Sequence, residues 1–480
     1  MSWELKLEEL AIATHGKILS EHKRKFTGIA TDTRKSMRGE VFFALKGANF
    51  DAHDFLEKAA LQGAGVLVVS HLPENAKALL KTVSILEVTD VLKALQNLAL
   101  FWRHSMKAKI LAVTGTNGKT TTKEFTATIL AQKFKTQFSQ GSFNNHWGVP
   151  LSLLSITPDH EVAVIEMGMN HPGEISELVG MSDPDVVLVT MVGRGHLEGL
   201  GSIEEVAKAK EEMYSFADPG VRAIFNIENA HTRKMYLNYM SARSAKKNFQ
   251  KPILFTGKLD SFANEHKPNV HFEIVSFDIA ALKIKGSIEG VTGEIEVPVF
   301  GEQNIYNLMA ASSFALSMGM SPEEIWQALP LCKSYWGRSQ WRMVKSGALV
   351  LFDAYNANPE SMKAAIDNFS KLRVRGRKIV FLGEMREMGE AAGEVHRELG
   401  SLVGEKDFDF VFFVGPSQAE FSKGIKTTKF KNNLLVTNTY KKNLALDVQP
   451  VIDRDDVVLI KASRGMELER ILEELEPVDS

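Results

Sequence analysis

Apolar residues in this chain gather into short unbroken runs, each closed by a small or polar residue. Nine stand out: "VLVVS" (66–70), "ILAVTG" (110–115), "VAVIEMG" (162–168), "VVLVT" (186–190), "RAIFN" (222–226), "LVLFDAY" (349–355), "KIVFLGEM" (378–385), "FVFFVG" (410–415) and "VVLIKAS" (457–463). Runs this short, without polar alternation, read as strands buried on both faces, as in parallel sheets. Helical spacing lies between them, for example in "SMKAAIDNFSKL" (361–372). Strand–helix alternation predicts an α/β protein whose ligand crevices lie at the C-terminal ends of its strands. A different rhythm fills 268–300, where "VHFEIVSFD", "ALKIKGSI" and "GEIEVPVF" alternate and predict a small antiparallel sheet.

These changes of rhythm divide the chain into three expected units. Residues 1–107 form an N-terminal α/β unit closed by the helix-like "VLKALQNLALFWRHSM", and 108–333 a central parallel-sheet unit carrying the small antiparallel sheet. Residues 334–480 form a second doubly wound, Rossmann-like unit entered through "KSYWGRSQWRM". No fixed-period repeat or low-complexity segment interrupts them.

The chain has 480 residues, 44% hydrophobic and 24% charged, with a formal net charge of −2. This balance gives no reason to expect nucleic acid or an anionic membrane as partner. The lone cysteine, Cys332, excludes a disulfide framework or a cysteine-built zinc site within the chain. "MSWELKLEEL" is mixed in charge and does not read as a signal peptide, and no apolar run approaches the ~20 residues of a membrane span. A cytoplasmic monomer is the expectation.

Chemistry concentrates at "VTGTNGKTTTKEF" (113–125). Gly115 and Gly118 allow a tight turn whose N–H groups, with those of Thr116, Asn117 and Thr121, can face phosphate oxygens. Lys119 would reach the β- and γ-phosphates, and Thr120 would offer a hydroxyl to Mg²⁺. A strand precedes the loop and a helix follows, so the helix dipole adds to the anion site. The loop is shorter than the Gly-x4-Gly-Lys-Thr form, with Val113 where a further glycine would stand. ATP is the expected ligand. Glu166 ends the run "VAVIE" beside this loop and is the leading Mg²⁺ ligand on chemical grounds, since hard cations take oxygen donors.

"GTNGKTT", "NNHWGVPLSLL" (144–154), "EMGMNHPGEI" (166–175) and "HLEGLGSIEEVAKAKEE" (196–212) together resemble the Mur ligases, ATP-dependent amide-forming enzymes of peptidoglycan precursor synthesis. "YNANPESMKAAI" (355–366) and "LGEMREMGEAAGEVHRELG" (382–400) resemble the member that adds D-alanyl-D-alanine to a UDP-muramoyl tripeptide. The first unit is similar to that family's UDP-binding domain through "TDTRKSMRGEVFFALKGANFDAHDF" (31–55). The chain departs from the pattern at Gln303, where histidine is usual, at His146, where an acid or amide is common, and at Ala462, where glycine is usual.

The resemblance implies two substrates, UDP-N-acetylmuramoyl-tripeptide and D-alanyl-D-alanine, and two Mg²⁺ ions. It also implies that His196 is a second-metal ligand and that Lys210 is carbamylated by CO₂, turning a cation into an oxygen donor. Without it, His196 reads as a structural histidine and Lys210 as a surface lysine paired with nearby glutamates. Asn226 and Asn229 suit an adenine edge or a turn. Asn304 and its neighbour Asn307 suit nucleotide contact or helix capping. Arg338 could reach the γ-phosphate once the third unit closes, and Asp353 the ribose. Asn144, Asn145, Tyr355, Asn356 and Asn358 are the expected substrate contacts near the centre, and Thr33, Arg34 and Ser36 those for uridine diphosphate. His53 reads as structural. The rivals are a sister ligase adding the third amino acid, a folylpolyglutamate-type ligase, and a nucleotide-gated scaffold without turnover. An Asp-Asn-Pro-Arg motif, expected of the sister ligase, does not occur in the sequence.

Overall fold

A computed structural model describes residues 4–47, 50–447 and 451–478. Residues 1–3 of the N-terminal stretch and 48–49 of the 31–55 motif lie outside the described residues. All nine apolar runs are strands, and eight of them run parallel to every strand they pair with. The exception is Leu349–Phe352, which also pairs antiparallel with Gln340–Met343 at the sheet edge.

The largest sheet has nine strands. From one edge the order is Val291–Val297, Leu282–Ile288, Val270–Phe277, Ile253–Thr256, Arg222–Asn226, Val186–Val189, Lys109–Thr114, Val162–Glu166 and Thr136–Phe138. The antiparallel stretch expected at 268–300 is present as the first three of these strands. It extends the parallel sheet rather than standing apart, because Val270 and His271 pair in parallel with Phe255 and Thr256. Lys109–Thr114 sits between Val162–Glu166 and Val186–Val189, so the loops leaving all three strands open on one side. The phosphate loop, Glu166 and the segment leading to His196 are thereby brought together.

The first sheet orders Lys17–Ser20, Ser84–Glu87, Val66–Val69, Val41–Phe43 and Ile29–Ala30. The last orders Gln340–Met343, Leu349–Phe352, Val457–Lys461, Lys378–Gly383, Phe410–Val414 and Asn433–Thr437. No helix among the described residues is long and apolar enough to cross a membrane.

The two seams between these sheets differ in chemistry. Helix Val91–Ser105 buries Leu95, Leu98 and Trp102 in one core with Val149, Leu153 and Ile175 of the central sheet's helices. Trp102 also donates to the Ile156 carbonyl at 2.8 Å, and Arg103 bonds the Ser182 carbonyl and Asp185, each at 3.0 Å. That seam is apolar and continuous, as in a domain interior. The seam between the central and last sheets is largely polar. Apart from Phe300, Phe277 and Ile279, which pack against the last sheet's core, it is built from Arg194 with Glu360 and Glu398, Lys371 with Glu302, Asn117 with Asn358, and Gln303 with Asn368.

Candidate active site

Two glycines shape the phosphate loop. Gly115 has φ +145 and a Cβ there would lie 1.9 Å from Thr190 Oγ1; Gly118 has φ +83 and a Cβ would lie 2.4 Å from Asn307 Oδ1. Both positions combine a backbone that disfavours side chains with no room for one. Thr190 donates to the Asn117 carbonyl at 2.6 Å, and the Thr116 hydroxyl accepts from Gly193 N–H at 3.0 Å. The turn is thus braced from the neighbouring strand end. Helix Lys119–Leu130 starts directly after it.

Lys119 folds back over the turn, donating to the carbonyls of Gly115 at 2.7 Å and Thr116 at 3.3 Å. The residue is half-buried, and desolvation pushes its pKa down against the attraction of Glu166. Thr120 Oγ1 donates to Glu166 Oε1 at 3.2 Å and accepts from Arg338 at 3.3 Å. Asn144 also donates to Glu166 Oε1, at 2.8 Å. Lys119, Thr120, Glu166, Asn144 and Arg338, drawn from four separate stretches of the sequence, therefore converge.

Lys210 is the least expected occupant. Helix Ile203–Ser215 buries it completely, its Nζ has no hydrogen-bond partner, and burial, then Lys119, pulls its pKa well down. The alternative of a surface lysine paired with nearby glutamates is excluded for Lys210; it fits Lys208, whose ammonium is exposed and 3.8 Å from Glu205. Leaving a buried donor unsatisfied costs about 1–3 kcal/mol.

His196 adopts φ +60, a rare conformation for a non-glycine residue. Burial lowers its pKa, favouring the neutral ring, and Nδ1 lies 2.8 Å from Glu387 Oε2 without the alignment of a hydrogen bond.

The fit to a divalent cation can be read from the unused donors. Glu166 Oε2 is buried without a hydrogen-bond partner, with Lys123 Nζ 4.0 Å away. Among the described residues no three His, Cys, Asp or Glu side chains converge as a metal cluster. Thr120, Glu166 and His196 alone are therefore a sparse set. A carbamate on Lys210 would replace the unpartnered amine with two oxygen donors, and with it the donor chemistry suits Mg²⁺.

A cavity of about 430 Å³ adjoins the loop. Asn117, Gly118 and Thr121 line it on one side, Asn226, Asn229 and Asn304 on the second, and Arg338, Asp353 and Asn356 on the third. Its size suits a mononucleotide. Most of these groups already have protein partners. Asn226 donates to the Thr190 carbonyl at 3.0 Å, Asn229 caps helix Ala230–Arg243, and Asn304 donates to the Phe300 carbonyl at 2.8 Å. Asp353 accepts from Lys461 at 2.7 Å and from Ser339 N–H at 3.1 Å.

Of the other expected substrate contacts, Tyr355 bonds Ser142 across the seam and carries Arg338 on its ring face at 4.5 Å. Asn145 is occupied in accepting from Trp147 and Gly148 N–H groups at 3.1 and 2.9 Å. Thr33, Arg34 and Ser36 lie on a turn of the first unit, where Arg34 forks onto Asp32 and is 83% exposed. His53 is structural, held by Asp51 at 2.6 Å and by Ser70 N–H at 3.0 Å.

Several residues escaped the sequence reading. Lys461 was legible in principle, as a lysine ending five buried positions. Glu387, Arg194 and Glu360 carried no such signal, because their roles arise only where two units touch. Gln303, a departure from the family pattern, accepts from Asn368 of the last unit at 2.8 Å.

The comparisons with known proteins agree with this geometry. Residues 113–315 match the Mur ligase middle domain, and 337–464 the Mur ligase glutamate ligase domain. The chain is 33% identical over 457 residues to UDP-N-acetylmuramoyl-tripeptide–D-alanyl-D-alanine ligase of Bacillus subtilis (strain 168), covering 93% of each. To the protein of the same name from Haemophilus influenzae it is 33% identical over 473 residues, covering 98% of each. Among solved structures, MurF from Acinetobacter baumannii aligns with a TM-score of 0.85 at 27% identity, over 98% of this chain and 99% of that one. MurF ligase from Thermotoga maritima in complex with ADP aligns at 0.77 and 26% identity, over 93% and 96%. Matched along nearly the whole length of such relatives, the chain belongs to the Mur ligase family.

Proposed function

We propose that this chain joins D-alanyl-D-alanine to UDP-N-acetylmuramoyl-tripeptide at the expense of ATP, releasing ADP and phosphate. The substrates follow from the names of relatives matched over 93–98% of their length. The observation that carries the chemistry is the gathering of Lys119 and Arg338 at Thr120 and Glu166, with the buried, unpartnered Lys210 close enough to Lys119 to feel its charge.

A carboxylate is a poor acyl donor, because its leaving group would be oxide. Attack of a carboxylate oxygen on the γ-phosphorus breaks the bond to the β-phosphate oxygen and gives an acyl phosphate. The amine of the dipeptide then attacks the carbonyl carbon, and phosphate leaves with one former carboxylate oxygen. Both steps bring anions together, so fixed cations lower the barrier. Lys119 would release the two loop carbonyls and turn to the transferring phosphate. Arg338, already at Thr120, would neutralise the same charge from the third unit. Mg²⁺, when held by Thr120, Glu166, His196 and a carbamylated Lys210, would screen the phosphate oxygens. Asn144 fixes the Glu166 carboxylate for that task. Asn226, Asn229, Asn304 and Asp353 would line the base and ribose, and Thr33, Arg34 and Ser36 the uridine diphosphate.

Phosphate release by the purified chain tests the reading. Turnover should require ATP, the UDP-tripeptide and D-alanyl-D-alanine together. Release instead with a UDP-dipeptide and a diamino acid would favour the sister ligase, and none with any acceptor would favour a scaffold.

A further inference from the structure

The phosphate loop is joined directly to the third unit by one pair of side chains. Asn117 Nδ2 donates to Asn358 Oδ1 at 3.1 Å, and Asn358 Nδ2 donates to Asn117 Oδ1 at 2.7 Å. The two residues are 241 positions apart, and each amide satisfies the other in a closed ring.

The orientation of this ring is fixed by its surroundings. Asn358 caps helix Pro359–Lys371, and its Oδ1 also accepts from Ser361 N–H at 3.0 Å. That cap demands an oxygen, so Nδ2 must face Asn117, and the Asn117 amide must present its oxygen there. Asn358 is 4% exposed. Both side-chain partners of Asn117 among the described residues are on Asn358.

The same helix turn is gripped on its other side by "GRG" (193–195). Arg194 N–H and Nε donate to Glu360 at 3.0 and 3.3 Å, and its Nη1 reaches Glu398 at 2.9 Å. The two glycines beside this arginine meet different neighbours: a Cβ at Gly193 would lie 3.0 Å from the Glu360 carboxyl carbon, and one at Gly195 2.8 Å from Thr116 Cγ2 of the phosphate loop. The ion pairs attract over distance but tolerate many orientations. A two-bond amide ring forms in only one relative orientation, and it breaks at little cost, since both amides are then solvated.

We propose that the Asn117–Asn358 ring couples docking of the third unit to the phosphate loop through the Asn117 side chain, making Asn358 a positioning residue for phosphoryl transfer. Thr190 and Gly193 brace the turn from within the central unit, whereas the ring holds the Asn117 side chain against the third unit. That side chain is thus fixed only when the unit bearing Arg338 and Asp353 is seated. The turnover part of the proposal rests on the ligase reading above.

The test separates the ring from the cap. Serine caps a helix as well as asparagine but cannot span to Asn117. Asn358→Ser is therefore expected to keep the wild-type melting temperature and lose about tenfold in kcat, as two modest hydrogen bonds imply. KM for ATP should move much less. Asn117→Ser should lose a similar factor, and the double variant should be no slower than either single one. Wild-type kcat in Asn358→Ser, or losses that multiply in the double variant, would overturn the proposal. Small-angle scattering with ADP reads docking without turnover: the wild type should compact and Asn358→Ser should compact less. Equal compaction would overturn the coupling even if no phosphate were released, an outcome that counts against the ligase reading alone.

Discussion

The molecule offers two candidate anion sites, and they are built in opposite ways. In the turn 31–36, Arg34 lies out in solvent and spends its guanidinium on Asp32, whose carboxyl it holds down at about 2. At the phosphate loop, Lys210 is fully buried with no partner, Glu166 keeps one buried oxygen unbonded, and Lys119 sits where desolvation depresses it. The first arrangement costs the fold little and can bind a diphosphate only by giving up an existing pair. The second is costly in the empty protein, and its cost is offset only when charge of the opposite sign arrives. Chemistry that must stabilise a transient anion needs the second kind: once Lys119 has turned from its loop carbonyls to bound phosphate, cations in a dry cleft need not reorganise during reaction. Holding a stable diphosphate needs no more than the first.

The contrast can be broken most forcefully at Lys119. Lys119→Ala should lower kcat by about 10³-fold or more, with the melting temperature unchanged. A loss under tenfold would remove the loop lysine from the chemistry. Lys210→Met comes next, with two expected effects of opposite sign. Activity should fall by about 10²-fold or more, while the fold gains about 1–3 kcal/mol at pH 7, since a buried unsatisfied amine is replaced by an apolar chain. For the unmodified lysine the depressed pKa gives the pH dependence. The unfolded chain carries a proton that the folded one lacks, so stability should rise as pH climbs toward 10.5, the ordinary lysine value. Denaturant titrations in bicarbonate-free buffer at pH 7 and 9 should show this slope in the wild type and lose it in Lys210→Met. A methionine variant less stable than the wild type would mean that Lys210 is satisfied. The smallest effect belongs to Arg34. Arg34→Ala should raise KM for the UDP-substrate by up to about tenfold and leave kcat within twofold, as expected for an exposed charge that only binds. A collapse of kcat would erase the distinction between the two sites.

The strands were legible because burial on both faces leaves no polar alternation, and the phosphate loop because its glycines are required by backbone shape. Helix Pro359–Lys371 was also readable from "NPES", where Asn358 caps and Pro359 opens it. Lys210 was singled out only through family resemblance. Its helix carries Lys208 two positions earlier with the same neighbours, and burial alone distinguishes them. The Gln303–Asn368 bond and the Arg194 fork were not legible, since each joins residues of separate units, and the paired state of Asp353 was not, since its partner Lys461 lies 108 positions away on another strand. The join of the antiparallel strands to the parallel sheet likewise depends on one short pairing, Phe255–Thr256 with Val270–His271, which no local pattern encodes.

The central claim is that the cations around Thr120 allow a carboxylate to be phosphorylated. Labelling both oxygens of the tripeptide's terminal carboxylate with ¹⁸O and analysing the released phosphate by mass spectrometry tests it directly. One labelled oxygen per phosphate is the predicted result; unlabelled phosphate formed alongside amide product would contradict it.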